Sequence, residues 1–233
     1  LIIKDKKMRK SILSLIFSVL LVSMGLTTSS NAISVPEGLG IGFSVGTGGY
    51  YAEGEEKTDN QKTGEDMAKD GGAFQHDIGS IILEYTAGPI TFGIDYNIED
   101  ITTPEATNVQ WTSDSSKVLL TNNVKATFEN HTTAYILMPV WGGLYAKVGG
   151  IYVDIKTQED LGTGGEYGNT DTTGFTAGLG FAHEVQNGVS VRGEVLGARY
   201  DDVSVTNSKN TSTSVHITEM MGASARVSIV KTF

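Results

Sequence analysis

Long stretches of this chain alternate apolar with small or polar residues at a strict period of two. In a β-strand that spacing sends successive side chains to opposite faces. In the segment beginning at Gly38, residues Leu39, Ile41, Phe43 and Val45 share one face, and Gly40, Gly42, Ser44 and Gly46 share the other. Residues 89–99 repeat the pattern, with Ile90, Phe92, Ile94, Tyr96 and Ile98 against Thr91, Gly93, Asp95, Asn97 and Glu99. Further on, Phe175, Ala177, Leu179 and Phe181 oppose Thr176, Gly178, Gly180 and Glu184. The carboxyl-terminal segment sends Ala223, Ala225, Val227 and Ile229 one way and Ser224, Arg226, Ser228 and Val230 the other, and ends on Phe233.

Taken along the whole chain, the pattern predicts eight strands, over residues 38–51, 76–87, 89–99, 124–139, 143–156, 172–186, 189–200 and 214–233. Ala87-Gly88-Pro89, residues 139–143 and Gln186-Asn187-Gly188 join strands tightly, whereas the other connections are long and polar. An even number of alternating segments of ~10 residues, with tight turns at one end and long loops at the other, is the signature of a transmembrane β-barrel. The fold class expected is therefore all-β, an eight-stranded antiparallel up-and-down barrel with short periplasmic turns and long extracellular loops. The competing fold, a soluble sandwich or lipocalin-like barrel, would put the apolar face inward. Against it stand the 29 glycines among 233 residues, well above the ~7% of ordinary proteins. In the alternating segments Gly40, Gly42, Gly46, Gly93, Gly178 and Gly180 fall on the face opposite the apolar one, which suits a narrow, strongly curved barrel interior.

The amino-terminal segment carries export chemistry instead of fold. Lys6, Lys7, Arg9 and Lys10 precede an apolar run, and Ser30-Asn31-Ala32 places small residues where a signal peptidase cuts. Residues 1–32 are expected to be a cleaved signal peptide, with Leu1 to Lys7 an extension ahead of a start at Met8, and residues 33–233 the barrel. The formal charge is −10. Removing residues 1–32 takes away five basic and one acidic side chain, leaving −14. A chain so acidic does not track phosphates, so no nucleic-acid partner is expected. The absence of cysteine excludes a disulfide framework, a thiolate metal site and a thiol nucleophile.

On these residues the chain resembles the small outer-membrane β-barrel proteins of Gram-negative bacteria, of the OmpA/OmpX and opacity-protein type. The resemblance covers nearly all of residues 33–233 and implies residence in the outer membrane. It also implies that Phe233 is the signal by which the assembly machinery recognises the last strand. Lys231 departs from the pattern, because the family carries an apolar or aromatic residue third from the end.

The parity that sends apolar residues to lipid sends charges to the lumen. Glu84, Asp95, Glu129, Lys147, Glu184, Arg192, Glu194 and Arg226 are the inward-facing residues expected to join in an ion-pair network. In an eight-stranded barrel, side chains about fill the interior, so the leading expectation is a plugged lumen. The protein would then serve structure and surface interaction through acidic extracellular loops, beside lipopolysaccharide and with divalent cations as partners for the loop carboxylates. A narrow porin-like diffusion channel is the alternative, and a lipid A-modifying enzyme comes third. Asp201 or Asp202, His216 and Ser212 or Ser214 supply the residue types of a hydrolytic triad, but no cofactor, metal ligand or catalytic residue is assigned. Trp141 and Tyr145 near a turn, and Tyr50, Tyr51, Tyr96, Tyr152 and Tyr200 near the loops, are expected to mark the membrane interfaces.

Overall fold

The computed structural model describes residues 37–60, 64–111, 118–162 and 164–233. The expected signal peptide lies outside them. Eleven strands form in chain order: β1 (Gly38–Asn60), β2 (Gly64–Ala87), β3 (Ile90–Asn97), β4 (Ile101–Thr102), β5 (Ala106–Trp111), β6 (Leu119–Trp141), β7 (Leu144–Leu161), β8 (Thr170–Gln186), β9 (Val189–Tyr200), β10 (Val203–Thr206) and β11 (Thr213–Thr232). Eight of them follow one another around a sheet in the order β1-β2-β3-β6-β7-β8-β9-β11. The sheet closes because β11 pairs with β1 from Gly40↔Thr232 to Thr58↔Thr213. The short strands add to this ring, β4 and β5 on β6 and β10 on β11.

Each tight connection is made by residues that tolerate a left-handed backbone. Asn187 and Gly188 have φ of 48° and 76°, the two positive values that a two-residue type I′ hairpin requires. Gly88 and Gly142 each have φ 58°, and both stand in two-residue turns, between β2 and β3 and between β6 and β7.

Around the ring the outer face is apolar and exposed. Phe43 is 62% exposed, Val45 66%, Phe175 59% and Ile229 57%. Their neighbours in sequence point inward, so Ser44, Thr176 and Ser228 are buried. An apolar belt of this extent is not stable against water and matches the lipid-facing band of a membrane barrel.

The strands run further than the alternation alone suggests. Residues 52–75, expected to be a polar loop, are mostly strand, because β1 and β2 stay in register from Gly38↔Thr86 to Asn60↔Gly64. The 23 residues of β1 are about twice the ~10 that a tilted strand needs to cross a hydrocarbon core of ~30 Å. Its far half therefore stands in water, where no lipid demands an apolar face and the alternation disappears from the sequence.

The facing of these strands sets a depth-dependent cost for a buried charge. Leu179→Arg, in the belt, is expected to lower folding stability in lipid vesicles by about 2–4 kcal/mol, and Val109→Arg, on β5 at the loop end, by about 0–1 kcal/mol. Urea titration of vesicle-folded protein measures both, and equal penalties contradict the placing of Leu179 within the belt and Val109 beyond it.

Candidate functional site: the charged lumen

The interior is organised in layers from the turn end to the loop end. Nearest the turns, Arg192 of β9 reaches across the lumen to Glu84 of β2 through two bonds, 2.6 and 2.8 Å. Tyr135 donates to the same carboxylate at 2.6 Å. Beside them, Glu194 accepts from Tyr145 at 2.8 Å and from Lys147 at 3.0 Å. The Lys147 ammonium lies 4.0 Å from the centre of the Tyr135 ring and 3.8 Å from Asp95. Asp95 in turn accepts from Arg226 at 3.0 Å. Three acids and three bases thus interlock, and all six are buried. Burial in a medium of low polarity makes such charges costly unless each has a partner of opposite sign.

Two glycines make this arrangement sterically feasible. Gly93 of β3 lies in register between Glu84 of β2 and Tyr135 of β6. A Cβ there would come within 2.4 Å of the Tyr135 ring, so only glycine lets the phenol lie across β3 to its carboxylate. The same device recurs on the other side, where Gly180 of β8 stands between Tyr145 of β7 and Glu194 of β9. There a Cβ would come within 2.3 Å of the Tyr145 ring. Tyrosine, glycine and glutamate across three adjacent strands form one unit used twice.

Two expected members of the network are elsewhere. Glu129 is on the outer side of β6, where it pairs with Lys156 at 2.5 Å. The cause is a bulge: the β6–β7 register shifts between Glu129 and Thr132, and Asn130 adopts φ 52°. The extra residue reverses the facing on either side of it. His131 is accordingly buried, and bonded to Tyr200 at 3.0 Å, while Glu129 is turned away. Glu184 keeps its parity but accepts the Gly188 backbone N–H at 3.1 Å, capping the β8–β9 turn instead of joining an ion pair. Of the aromatic residues expected at the membrane interfaces, Tyr145 is buried in the lumen. Tyr50 and Tyr200 also line an interior cavity. Tyr51, Tyr96 and Tyr152 lie near the loop end, the last two well exposed, and Trp141 is 78% exposed beside a turn. Tyr135 escaped sequence reasoning, although its parity with Thr133 and Leu137 marks it as inward-facing.

Above the charged layers the interior becomes apolar. Ile155, Val203 and Met220 are buried together, with Phe128, Ala126, Val205 and Ile217 packed on them. Between the two regions lie a polar cavity of about 20 Å³, bounded by Asp95, His131, Lys147, Tyr200 and Arg226, and an apolar one of about 40 Å³. At the loop end, Asn207 accepts the backbone N–H groups of Glu166, Lys209 and Asn210. There Lys209, bonded to Glu166 at 3.0 Å, holds that carboxyl below its ordinary range, while burial pushes Glu159 up. Of the triad types, Ser214 and His216 are 3.2 Å apart on one strand, whereas Asp201 accepts from Thr173 and Thr172.

A closed antiparallel ring with an apolar exterior and a charged interior defines the class: a transmembrane β-barrel. Neither a protein-family model nor a curated protein matches the sequence. Among solved structures, the outer membrane protein OprG from Pseudomonas aeruginosa is similar over 84% of this chain and 98% of its own, with a TM-score of 0.51 and 11% identity. The outer membrane protease OmpT from Escherichia coli aligns over 89% of this chain and 99% of its own, at 9% identity and a TM-score of 0.43. Neisserial surface protein A aligns over 82% and 97%, at 12% and 0.34. At such identities the likeness to OprG shows the fold, that of an outer-membrane β-barrel.

The geometry makes the pairings testable. Arg226→Ala leaves Asp95 short of a partner and is expected to cost about 3–5 kcal/mol. Adding Asp95→Asn restores part of that loss, whereas adding Glu194→Gln does not, as read by urea midpoints. Gly180→Ala is expected to destabilise by about 1–3 kcal/mol through overpacking against Tyr145, and the same titration measures it.

Proposed function

We propose that this chain is a bacterial outer-membrane barrel whose filled lumen makes it an anchor for an acidic extracellular surface. The observation that carries the reading is the interior itself: six buried charges of balanced sign bridge the lumen, and an apolar layer covers them toward the loops. An ion crossing in either direction must pass fixed charges already engaged with one another and an apolar layer that strips its hydration shell. The basic and apolar amino-terminal segment supports export. The apolar belt supplies the face for lipid and lipopolysaccharide, and the loop carboxylates offer oxygen ligands to divalent cations.

The last strand fits a role for Phe233 in assembly. Phe233 is 72% exposed, and its backbone donates to Leu39 at 2.9 Å. Lys231, the departure from the family pattern, bonds the Asn187 carbonyl of the β8–β9 turn. Its ammonium lies 5.5 Å from the centre of the Phe233 ring, so it ties the terminus to its neighbour without facing hydrocarbon.

The test is planar-bilayer recording. Wild-type protein is expected to give no steady conductance, and stable ohmic channels overturn the reading in favour of a pore.

A further inference from the structure

The seams between ring strands are not all closed to the same height. On one side of β2, pairing with β1 continues to Asn60↔Gly64. On its other side, pairing with β3 stops at Ser80↔Asn97, followed by one bond from the Ile98 N–H to the Gly79 carbonyl at 2.9 Å. Beyond it, β4 and β5 take over the place beside β6, yet among the described residues neither pairs with β2. Among the described residues, therefore, no strand pairs with this side of β2 from Ile78 outward, although Ile101 of β4 and Phe74 of β2 line one small cavity.

The bond to Gly79 fixes which backbone groups face this unpaired side. Neighbouring residues of a strand direct their N–H and C=O to alternate sides, so those of Gly71, Ala73, Gln75 and Asp77 face it. The two ends of that row are occupied. Asp70 Oδ1 accepts the Gly71 N–H at 2.8 Å, and the His76 ring lies 2.5 Å from the Asp77 carbonyl. The Gln75 side chain is drawn back toward β1 by its bond to Thr47 at 3.0 Å. Ala73 and Gln75 then present N–H and C=O in strand spacing. Neither proline, nor lysine, nor a bulge protects the edge between Gly71 and His76, although soluble edges are ordinarily guarded by such devices.

Both banks of this unpaired edge are acidic. Asp70 and Asp77 stand on the β2 side and Glu99, Asp100 and Glu105 on the other, all exposed, while the nearby Lys69 is engaged with Glu55 at 3.3 Å. We propose that this edge binds an extended, cationic polypeptide segment, which adds as a strand to β2. A metal ion does not answer the N–H donors at Ala73 and Gln75, and an anion is repelled by the banks. A second copy of this chain would set Asp70 and Asp77 against their own equivalents. A strand backbone matches the alternating donors and acceptors, and lysine or arginine side chains match the banks. The proposal rests on the reading of this protein as a surface anchor and names the chemistry of its partner.

The test uses the full-length mature barrel folded in detergent micelles and a fluorescein-labelled decapeptide alternating lysine and threonine, read by fluorescence anisotropy. The comparison peptide has the same sequence with alternate backbone nitrogens methylated, which keeps the charge and removes the strand donors. Methylation is expected to weaken binding at least about tenfold, the loss of one or two backbone hydrogen bonds. Ala73→Pro, which deletes an edge N–H outside the β1 ladder, is expected to weaken the unmethylated peptide similarly while heat-modifiable gel migration stays unchanged. If Ala73→Pro does not fold, the two peptides on wild-type protein decide the matter. Equal binding of both peptides, no binding of either, or dimers of the wild type dispersed by Ala73→Pro overturns the proposal. Conductance of the same preparation is read separately, so that channels overturn the anchor reading while the peptide comparison alone judges the edge.

Discussion

Everything in this molecule depends on the pairing of β1 with β11, which converts a sheet into a ring. Hydrocarbon offers no hydrogen bonds, so each backbone N–H and C=O in the membrane must find a partner in the neighbouring strand, and only a closed ring leaves no edge. Closure with eight strands fixes a narrow interior. Side chains that cannot face lipid must share that interior, and the charges among them are pressed into mutual contact. The Glu84–Arg192, Glu194–Lys147 and Asp95–Arg226 pairs are in this sense consequences of closure.

The narrowness also explains where the glycines go. A tyrosine ring inside so small a ring of strands has no room to stand upright, so it lies flat across the next strand. At Gly93 and Gly180 the missing side chain provides the bed, and the phenol reaches a glutamate one strand further on. Lys147 then rests over one of those rings. Packing and charge compensation are solved together, by residues contributed from both halves of the chain.

Polarity turns inside out partway along the strands. Within the belt the outside is apolar and the inside charged, whereas toward the loops Phe128 and Ile155 pack inside and Glu129 and Lys156 pair outside. On β6 the exchange takes place at the Asn130 bulge, where one added residue moves the following side chains to the other face. The same strands can therefore satisfy lipid below and water above. The wall beyond the membrane thus has a core of its own.

The sequence by itself determined the eight strands within the membrane, their facing and the three tight turns. Alternation is imposed locally, by lipid on one side and a crowded lumen on the other, and a left-handed turn needs Asn or Gly wherever it occurs. Alternation directs Glu84, Asp95, Lys147, Arg192, Glu194 and Arg226 inward, and all six are buried in the structure. What it could not supply was who meets whom. Arg226 is directly across from Glu194 in register but bonds Asp95 on the far side of the lumen, because diameter and stagger are properties of the closed ring. The loss of Glu129 to the outer face, the turn-capping role of Glu184 and the extension of β1 and β2 into water were likewise decided by tertiary structure. A bulge costs one residue and leaves almost no mark on periodicity, and strands in water need none.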